Sequence, residues 1–217
     1  MKRFLGPRTA TGLIVLGWLL AAAGYWGAWV WAAPAGLRVL GLDLAEYVKF
    51  VAEVRSGQIA VRRELFYLPL VALSLSLSLL AHRPELRLPK ALRWLANALA
   101  APAALAMLPP AWTPPLLRTP EFILQTTAIA VCLGAVLLSY PALRRLPWSM
   151  AVTGVALLSA AAVWFPVEAF LRLRPALDAI YGRPIQVGSG PALMTAGFVL
   201  LMAGIASMRL SNLPKSS

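Results

Sequence analysis

A group of polar side chains flanks three of the long apolar runs in this sequence and is the best candidate for ligand binding. They stand where these runs begin or end, and they are Arg63, Glu64, Glu121, Gln125, Glu168 and Arg172. If the runs cross a membrane, these side chains fall at one depth on its outer side, where ionisable residues predict a functional site. A second interpretation stays open, because Glu64 and Glu121 lie at helix N-termini, where a carboxylate complements the helix dipole.

No residue pattern in the sequence predicts catalysis, a metal site or a cofactor. The chain has one cysteine, Cys132, and one histidine, His82. This excludes a multi-histidine metal site, bis-histidine haem ligation and a disulfide framework. Ser189 lies between two glycines, but a serine nucleophile needs a nearby base, and His82 is predicted on the opposite side of the membrane. Ser189 is better interpreted as a helix N-cap. The sequence favours a non-enzymatic role and leaves a membrane enzyme as an alternative.

The composition indicates a membrane protein. Of the 217 residues, 60% are apolar and 13% are charged, against about 45–50% and about 25% in soluble domains. A soluble fold of this size could not bury so much apolar surface, whereas a bilayer can accept it. The net charge of +12 indicates anionic lipid head groups as partners, because the basic residues stand at the ends of apolar runs. No basic stripe interleaved with aromatic residues predicts nucleic-acid binding.

The apolar runs predict an all-α fold, a single polytopic transmembrane domain over residues 1–217 with about six helices. A transmembrane helix needs about 20 apolar residues, with about 17 acceptable where flanking side chains snorkel. The predicted spans are 11–33, 65–81, 92–108, 122–140, 148–165 and 191–208. The third span is the least typical, because it is rich in alanine and contains Asn97 and Pro102.

The lysine and arginine residues predict that both termini are cytoplasmic. The segments placed inside carry one acid, Glu85, and the basic residues Lys2, Arg3, Arg8, Arg83, Arg87, Lys90, Arg93, Arg144, Arg145, Arg209 and Lys215. The first run also has the charge pattern of a signal peptide, with small residues at 33–35 as a cleavage site. It is longer than the usual apolar core of roughly 7–15 residues, so we expect a retained helix. We expect the protein in the cell membrane, the inner or plasma membrane of a bacterium.

Two further segments are predicted on the outer side. Residues 43–56 fit an amphipathic helix that lies on the membrane or caps the bundle, with Asp43 as N-cap and Glu46 completing a capping box. Its apolar face is formed by Leu44, Tyr47, Val48 and Val51. Beyond the fifth span, Pro175 is expected to interrupt the helix, and a short helix is expected to end at Gly182.

Small residues lie on one face of the first and the last span. They are Gly17, Ala21, Gly24 and Ala28 in the first, and Gly190, Gly197 and Gly204 in the last. Small side chains let helix backbones approach closely within a membrane. This pattern predicts close packing inside the chain or, alternatively, against a partner subunit.

These features favour a transport-associated or accessory subunit of a membrane complex. Its partners would be the lipid bilayer and another membrane subunit or an ATPase, because the sequence has no P-loop of its own. Two alternatives stay open. One is a membrane enzyme acting on lipid or peptide, with Glu64, Glu121 or Glu168 as acid or base. The other is a self-associating scaffold or channel, although no ring of polar residues marks a selectivity filter.

Overall fold

The computed structural model describes residues 6–32, 37–109 and 112–211. These residues are mostly helical. The helices are α1 (Pro7–Tyr25), α2 (Gly41–Tyr47), α3 (Ala52–Arg55), α4 (Leu68–Leu80), α5 (Lys90–Leu105), α6 (Pro114–Leu117), α7 (Ile123–Leu138), α8 (Trp148–Tyr181) and α9 (Gly190–Ser211). The strands are β1 (Ala28–Ala32), β2 (Leu37–Leu40) and β3 (Gln186–Val187). Short 3₁₀ turns cover Val48–Phe50, Arg63–Tyr67, Pro84–Leu86 and Leu143–Arg145.

Helix α4 lies at the centre of a bundle. It packs against α1, α5, α7 and α8, and α9 packs against α1 and α8. The 3₁₀ turn Arg63–Tyr67 extends α4 at one end, and His82 follows it at the other. We call these the Arg63 end and the His82 end of the bundle. The central position of α4 explains its burial on all sides, including its three serines, Ser74, Ser76 and Ser78.

Four helical segments are long and apolar enough to cross a membrane, in agreement with four of the predicted spans. They are Arg8–Tyr25, Arg63–Leu80, Trp148–Tyr181 and Gly190–Met208. The other two predicted spans, 92–108 and 122–140, correspond to α5 and α7, which have 16 residues each. At about 1.5 Å per residue each is about 24 Å long, less than the hydrocarbon core of about 30 Å.

The prediction that the first span reaches residue 33 is wrong, and so is the strictly all-α fold. Helix α1 ends at Tyr25, and Ala28–Ala32 forms the central strand of a three-stranded antiparallel sheet with the order β2-β1-β3. Val30 is paired with Val39 on one side and with Val187 on the other. Tryptophan and valine favour strands, but β1 has a partner more than 150 residues away in sequence. The predicted end at residue 33 and the candidate cleavage site at 33–35 lie outside the described residues, as do Lys2, Arg3 and Lys215.

The predicted interruption of the fifth helix at Pro175 is also wrong. Helix α8 continues through Pro166 and Pro175 for 34 residues, to Tyr181. Leu173 and Ala176, on either side of Pro175, are both buried, so packing holds the helix together where one backbone hydrogen bond is lost. The helix ends at Gly182 as predicted, with a positive φ of 64°.

The amphipathic segment begins earlier than predicted and is not one helix. Helix α2 starts at Gly41, so Asp43 is not the N-cap, and its Oδ2 accepts a hydrogen bond from the Leu40 N–H at 2.9 Å. A Cβ on Gly41 would lie 2.8 Å from the Tyr25 oxygen, so close contact with α1 positions this start. Extended backbone angles at Val51 separate the 3₁₀ turn from α3. The predicted apolar face does pack inward, because Leu44, Val48 and Val51 are all buried.

The small residues of the first and last spans lie against one another in an antiparallel α1–α9 pair, except that Ala28 lies in β1 and not in the helix. A Cβ on Gly17 would lie 2.7 Å from the Leu201 nitrogen and 2.8 Å from the Gly197 oxygen. Near the Arg63 end, a Cβ on Gly24 would lie 2.7 Å from the Gly190 oxygen. At the other end, a Cβ on Gly204 would lie 2.8 Å from the Ala10 oxygen. Backbone therefore contacts backbone along the whole pair, where a side chain would force the helices apart.

We predict that Gly197→Ala destabilises the protein by about 1–3 kcal/mol, because an added methyl overpacks the α1 backbone. The higher helix propensity of alanine offsets at most about 1 kcal/mol of this loss in stability. Thermal unfolding in detergent micelles measures the effect. Gly134→Ala and Gly154→Ala are matched controls in α7 and α8, since a Cβ at either position has no heavy atom within 4 Å. Equal melting temperatures for all three variants would contradict close α1–α9 packing.

Candidate functional site

Arg63 is the central residue of a polar cluster at the Arg63 end of the bundle. It begins the 3₁₀ turn that leads into α4, and its side chain is only 6% exposed. Its Nη2 donates one hydrogen bond to the backbone oxygen of Glu121 at 2.8 Å and another to Gln125 Oε1 at 2.9 Å. A buried guanidinium needs such partners, because an unpaired charge away from water is strongly unfavourable.

Carboxylates from three segments surround the same guanidinium. Arg63 Nη1 lies 3.6 Å from Glu46 Oε1 and 3.5 Å from Glu121 Oε1, and Nε lies 3.7 Å from Glu64 Oε1. Lys49 adds a second cation, with its Nζ 2.6 Å from Glu46 Oε2 and 3.5 Å from Glu121 Oε1. The positive and negative charges of the cluster therefore face each other within the chain.

Aromatic and amide groups complete the cluster. The guanidinium carbon of Arg63 lies 4.5 Å from the centre of the Phe122 ring, a cation–π contact. Tyr67 donates a hydrogen bond to Glu46 Oε1 at 3.1 Å. The Gln125 amide donates to the backbone oxygen of Met107 and to the Tyr67 hydroxyl. We call Glu46, Lys49, Arg63, Glu64, Tyr67, Glu121, Phe122 and Gln125 the Arg63 cluster.

The structure brings together four of the six predicted site residues. Arg63, Glu64, Glu121 and Gln125 all belong to the Arg63 cluster. Glu168 and Arg172 instead form an ion pair with each other on the exposed surface of α8. No hydrogen bond or ion pair within the described residues joins that pair to Arg63.

Sequence reasoning did not assign Glu46, Lys49 and Tyr67 to the site. The signal for two of them was present, because Glu46 and Lys49 lie three residues apart on the polar side of the amphipathic segment. Their contact with Glu121 could not be inferred, since it depends on how α2 docks beside α7. The sequence has no signal for Tyr67, because an aromatic residue at the start of a span is common at a membrane interface.

The Arg63 cluster is a connection between elements rather than an open binding site. Its members come from α2 and the turn after it, from the turns before α4 and α7, and from α7 itself. The groups that contact Arg63 are carboxylates, an amide, a carbonyl and an aromatic ring. An external ligand would have to displace these partners in order to bind the guanidinium. Among the described residues, no three His, Cys, Asp or Glu side chains are placed to hold a metal ion.

A second cluster lies at the His82 end. The His82 ring contacts Trp94 at a centroid distance of 4.7 Å and Tyr140 at 5.3 Å, and Arg144 lies 4.0 Å from the centre of the Tyr140 ring. The buried Arg83 donates to the backbone oxygens of Arg144 and Leu146 at 3.2 and 2.6 Å. Burial, with the positive charges of Arg93 and Arg144, lowers the pKa of His82. The sequence showed His82 only as part of a basic loop.

Several serines in the described part of the chain take part in hydrogen bonds within it. Ser74 donates to the Ala100 oxygen in α5 at 2.8 Å, and Ser139 donates to the Ser78 oxygen at 2.6 Å. Ser189 precedes α9, and its carbonyl accepts the Leu193 N–H at 2.9 Å. The hydrogen bonds of Ser74 and Ser139 connect neighbouring helices, as interhelical hydrogen bonds do in membranes.

Comparison with protein-family models, with curated proteins and with solved structures finds no significant match for the chain. The geometry of its own side chains is therefore what indicates a function.

We predict that Arg63→Ala lowers the free energy of unfolding by about 2 kcal/mol, because Gln125 and the Glu121 carbonyl lose a buried donor. The exposed carboxylates contribute less, since water screens them. The neighbouring Arg62 is the matched control: its side chain is 74% exposed and 3.6 Å from Glu64, so Arg62→Ala changes stability by less than about 0.5 kcal/mol. Chemical unfolding in micelles measures both. Equal losses would show that Arg63 does not connect these elements.

We also predict a pH-dependent stability that originates at His82. Because its pKa in the folded protein lies below the unfolded value, the unfolded chain binds the proton more tightly. The stabilisation is complete above about pH 6.5, the unfolded pKa, and is lost as the pH falls through the folded pKa. Melting temperatures at about pH 7.5 and about pH 5 should therefore differ more for the wild type than for His82→Gln. Identical differences would assign the pH response to other groups.

Proposed function

We propose that the protein is a multi-pass membrane protein in which six helices cross the bilayer, with both termini in the cytoplasm. The crossing helices are α1, α4, α5, α7, α8 and α9. Consecutive members run in opposite directions, and the connections at the His82 end carry the basic residues that favour a cytoplasmic position. Helix α8, about 51 Å long at about 1.5 Å per residue, extends beyond the bilayer at the Arg63 end together with α2 and the sheet.

We further propose that it acts as a transport-associated or accessory subunit of a membrane complex. The Arg63 cluster favours an accessory role over catalysis, because its ionisable groups are paired with one another. A role for Glu64 or Glu121 as catalytic acid or base would require them to leave Arg62, Arg63 and Lys49. ATP-driven transport would need an ATPase partner, since the chain has no P-loop.

The observation that carries this proposal is the position of the two short helices. Helices α5 and α7 have 16 residues each and pack against one another, so both lie on the same side of α4. Apolar side chains are exposed all around the bundle, but the proposed spans on this side are the shortest, well below the thickness of the hydrocarbon core. Oligomerisation is one of the ways in which short spans are accommodated. A partner helix against α5 and α7 would therefore relieve the mismatch.

Site-specific photo-crosslinking in native membranes tests the proposed partner face. A photoreactive residue is placed at Leu105 in α5 or Val131 in α7, with Leu157 in α8 and Val199 in α9 as controls. All four side chains are exposed. We expect a protein adduct of one defined mass from the first two positions and none from the controls. Lipid adducts alone at all four positions, with a monomer after mild solubilisation, would contradict the subunit role.

A further inference from the structure

An apolar groove of about 370 Å³ lies between α1 and α5, above α4. Its floor includes Leu77 of α4, which is buried, and Trp18 and Ala22 of α1 form one wall. The opposite wall includes Leu95 and Leu99 of α5, both about half exposed. The groove is therefore closed toward α4 and open toward the surroundings of the bundle, which are lipid if these helices cross the membrane.

The groove offers a ligand only hydrocarbon and aromatic surface. The one nitrogen of the Trp18 ring donates to Ser76 Oγ at 3.1 Å, and Ser76 in turn donates to the Leu73 oxygen at 3.1 Å. These polar atoms are turned inward and used by the chain. A polar ligand would lose its hydrogen bonds with water here without replacement, whereas an apolar chain would lose nothing.

The size of the groove fits a flexible chain better than a protein helix. A spanning helix about 10–12 Å across and 30 Å long occupies on the order of 2,500 Å³. The groove is several times smaller, so a helix could insert only a few side chains. Its volume lies in the usual range of small-molecule sites, about 300–1,000 Å³. An acyl chain of a membrane lipid matches this volume and the apolar walls.

Exposed cations lie on the segments that lead to the His82 end of the groove. Arg8, Val15 and Ala22 are spaced by seven residues and so lie on one face of α1, and Val15 and Ala22 line the groove. Arg8 therefore lies on the same face of α1 as the groove residues, about one helical turn before Thr11. The Thr11 hydroxyl donates a hydrogen bond to the Leu86 oxygen at 2.8 Å. The exposed Arg87 follows Leu86 directly in the sequence.

Lys90, at the start of α5, adds a third exposed cation at this end. The one carboxylate nearby, Glu85, acts electrostatically on the buried Arg83. A phosphate at the membrane interface would therefore meet Arg8, Arg87 and Lys90.

From this arrangement we infer that the groove between α1 and α5 binds one acyl chain of an anionic phospholipid, whose head group lies against Arg8, Arg87 and Lys90. The apolar walls hold the chain and the cations select the head group. The groove uses the side of α5 that faces α1, whereas the probes of the partner face, Leu105 and Val131, do not line it. Either proposal can therefore fail without the other.

Native mass spectrometry of the full chain tests the inference. The protein is delipidated in detergent and titrated with phosphatidylglycerol or with phosphatidylcholine carrying the same acyl chains. We expect one phosphatidylglycerol to bind at concentrations about tenfold lower than phosphatidylcholine, because each basic residue near the head group favours negative charge. Binding of both lipids at the same concentration would overturn the selectivity for anionic head groups.

Paired variants separate the groove from general lipid contact. Ala22→Phe fills the groove and should abolish the one-to-one adduct, whereas Ala160→Phe, at an exposed position in α8, should keep it. The double variant Arg8→Ala with Arg87→Ala should bind both lipids equally, while Arg145→Ala, an exposed cation at the same end, should keep the preference.

The arginine variants do not touch the core, so they give a result even if Ala22→Phe fails to fold. Retention of the adduct by a folded Ala22→Phe, or an unchanged preference after loss of both arginines, would overturn the inference. Loss of a co-purified protein, rather than of a lipid, from Ala22→Phe would assign the groove to a partner and also overturn it.

Discussion

The close contact between the α1 and α9 backbones determines where the elements at the Arg63 end can lie. Because α1 and α9 are antiparallel and meet at Gly24 and Gly190, the strand after α1 must lie beside the strand before α9. The two pair as β1 and β3, and the N–H of Gly188 donates to the Trp29 oxygen at 2.9 Å. Trp29 then packs edge-on against Phe66 and Phe170, with centroid distances of 6.3 and 5.5 Å. Small residues in two helices thus position a sheet and the C-terminal half of α8.

The Arg63 cluster connects the remaining elements at the same end. Glu46 and Lys49 come from α2 and the turn after it, Arg63 from the turn before α4, and Gln125 from α7. At membrane depth a charge is tolerated only when it is paired or reaches water. Arg63 is paired on every side, so it connects the neighbouring elements of the bundle. The central cation at this end of the bundle is thereby paired within the chain.

The two sides of the bundle have different properties. On one side α1, α8 and α9 are long, and α1 and α9 are in close backbone contact. On the other side α5 and α7 are short, and α5 stands apart from α1, which leaves the groove. A short side with a groove is where a membrane protein can gain contacts from a partner or from a bound lipid.

The sequence by itself determined that the chain is a helical membrane protein, because the length and polarity of an apolar run decide whether it can cross a bilayer. It also located Arg63, Glu64, Glu121 and Gln125 as a polar group and Gly182 as a helix end, since charge at the edge of an apolar run and glycine after a helix act locally. The strand at Ala28–Ala32, the continuity of α8 through Pro175 and the participation of Glu46, Lys49 and Tyr67 were decided by the tertiary structure. Each depends on residues distant in sequence: a strand needs a partner, a proline in a helix needs packing on both sides, and a buried arginine needs acceptors that only the folded bundle brings together.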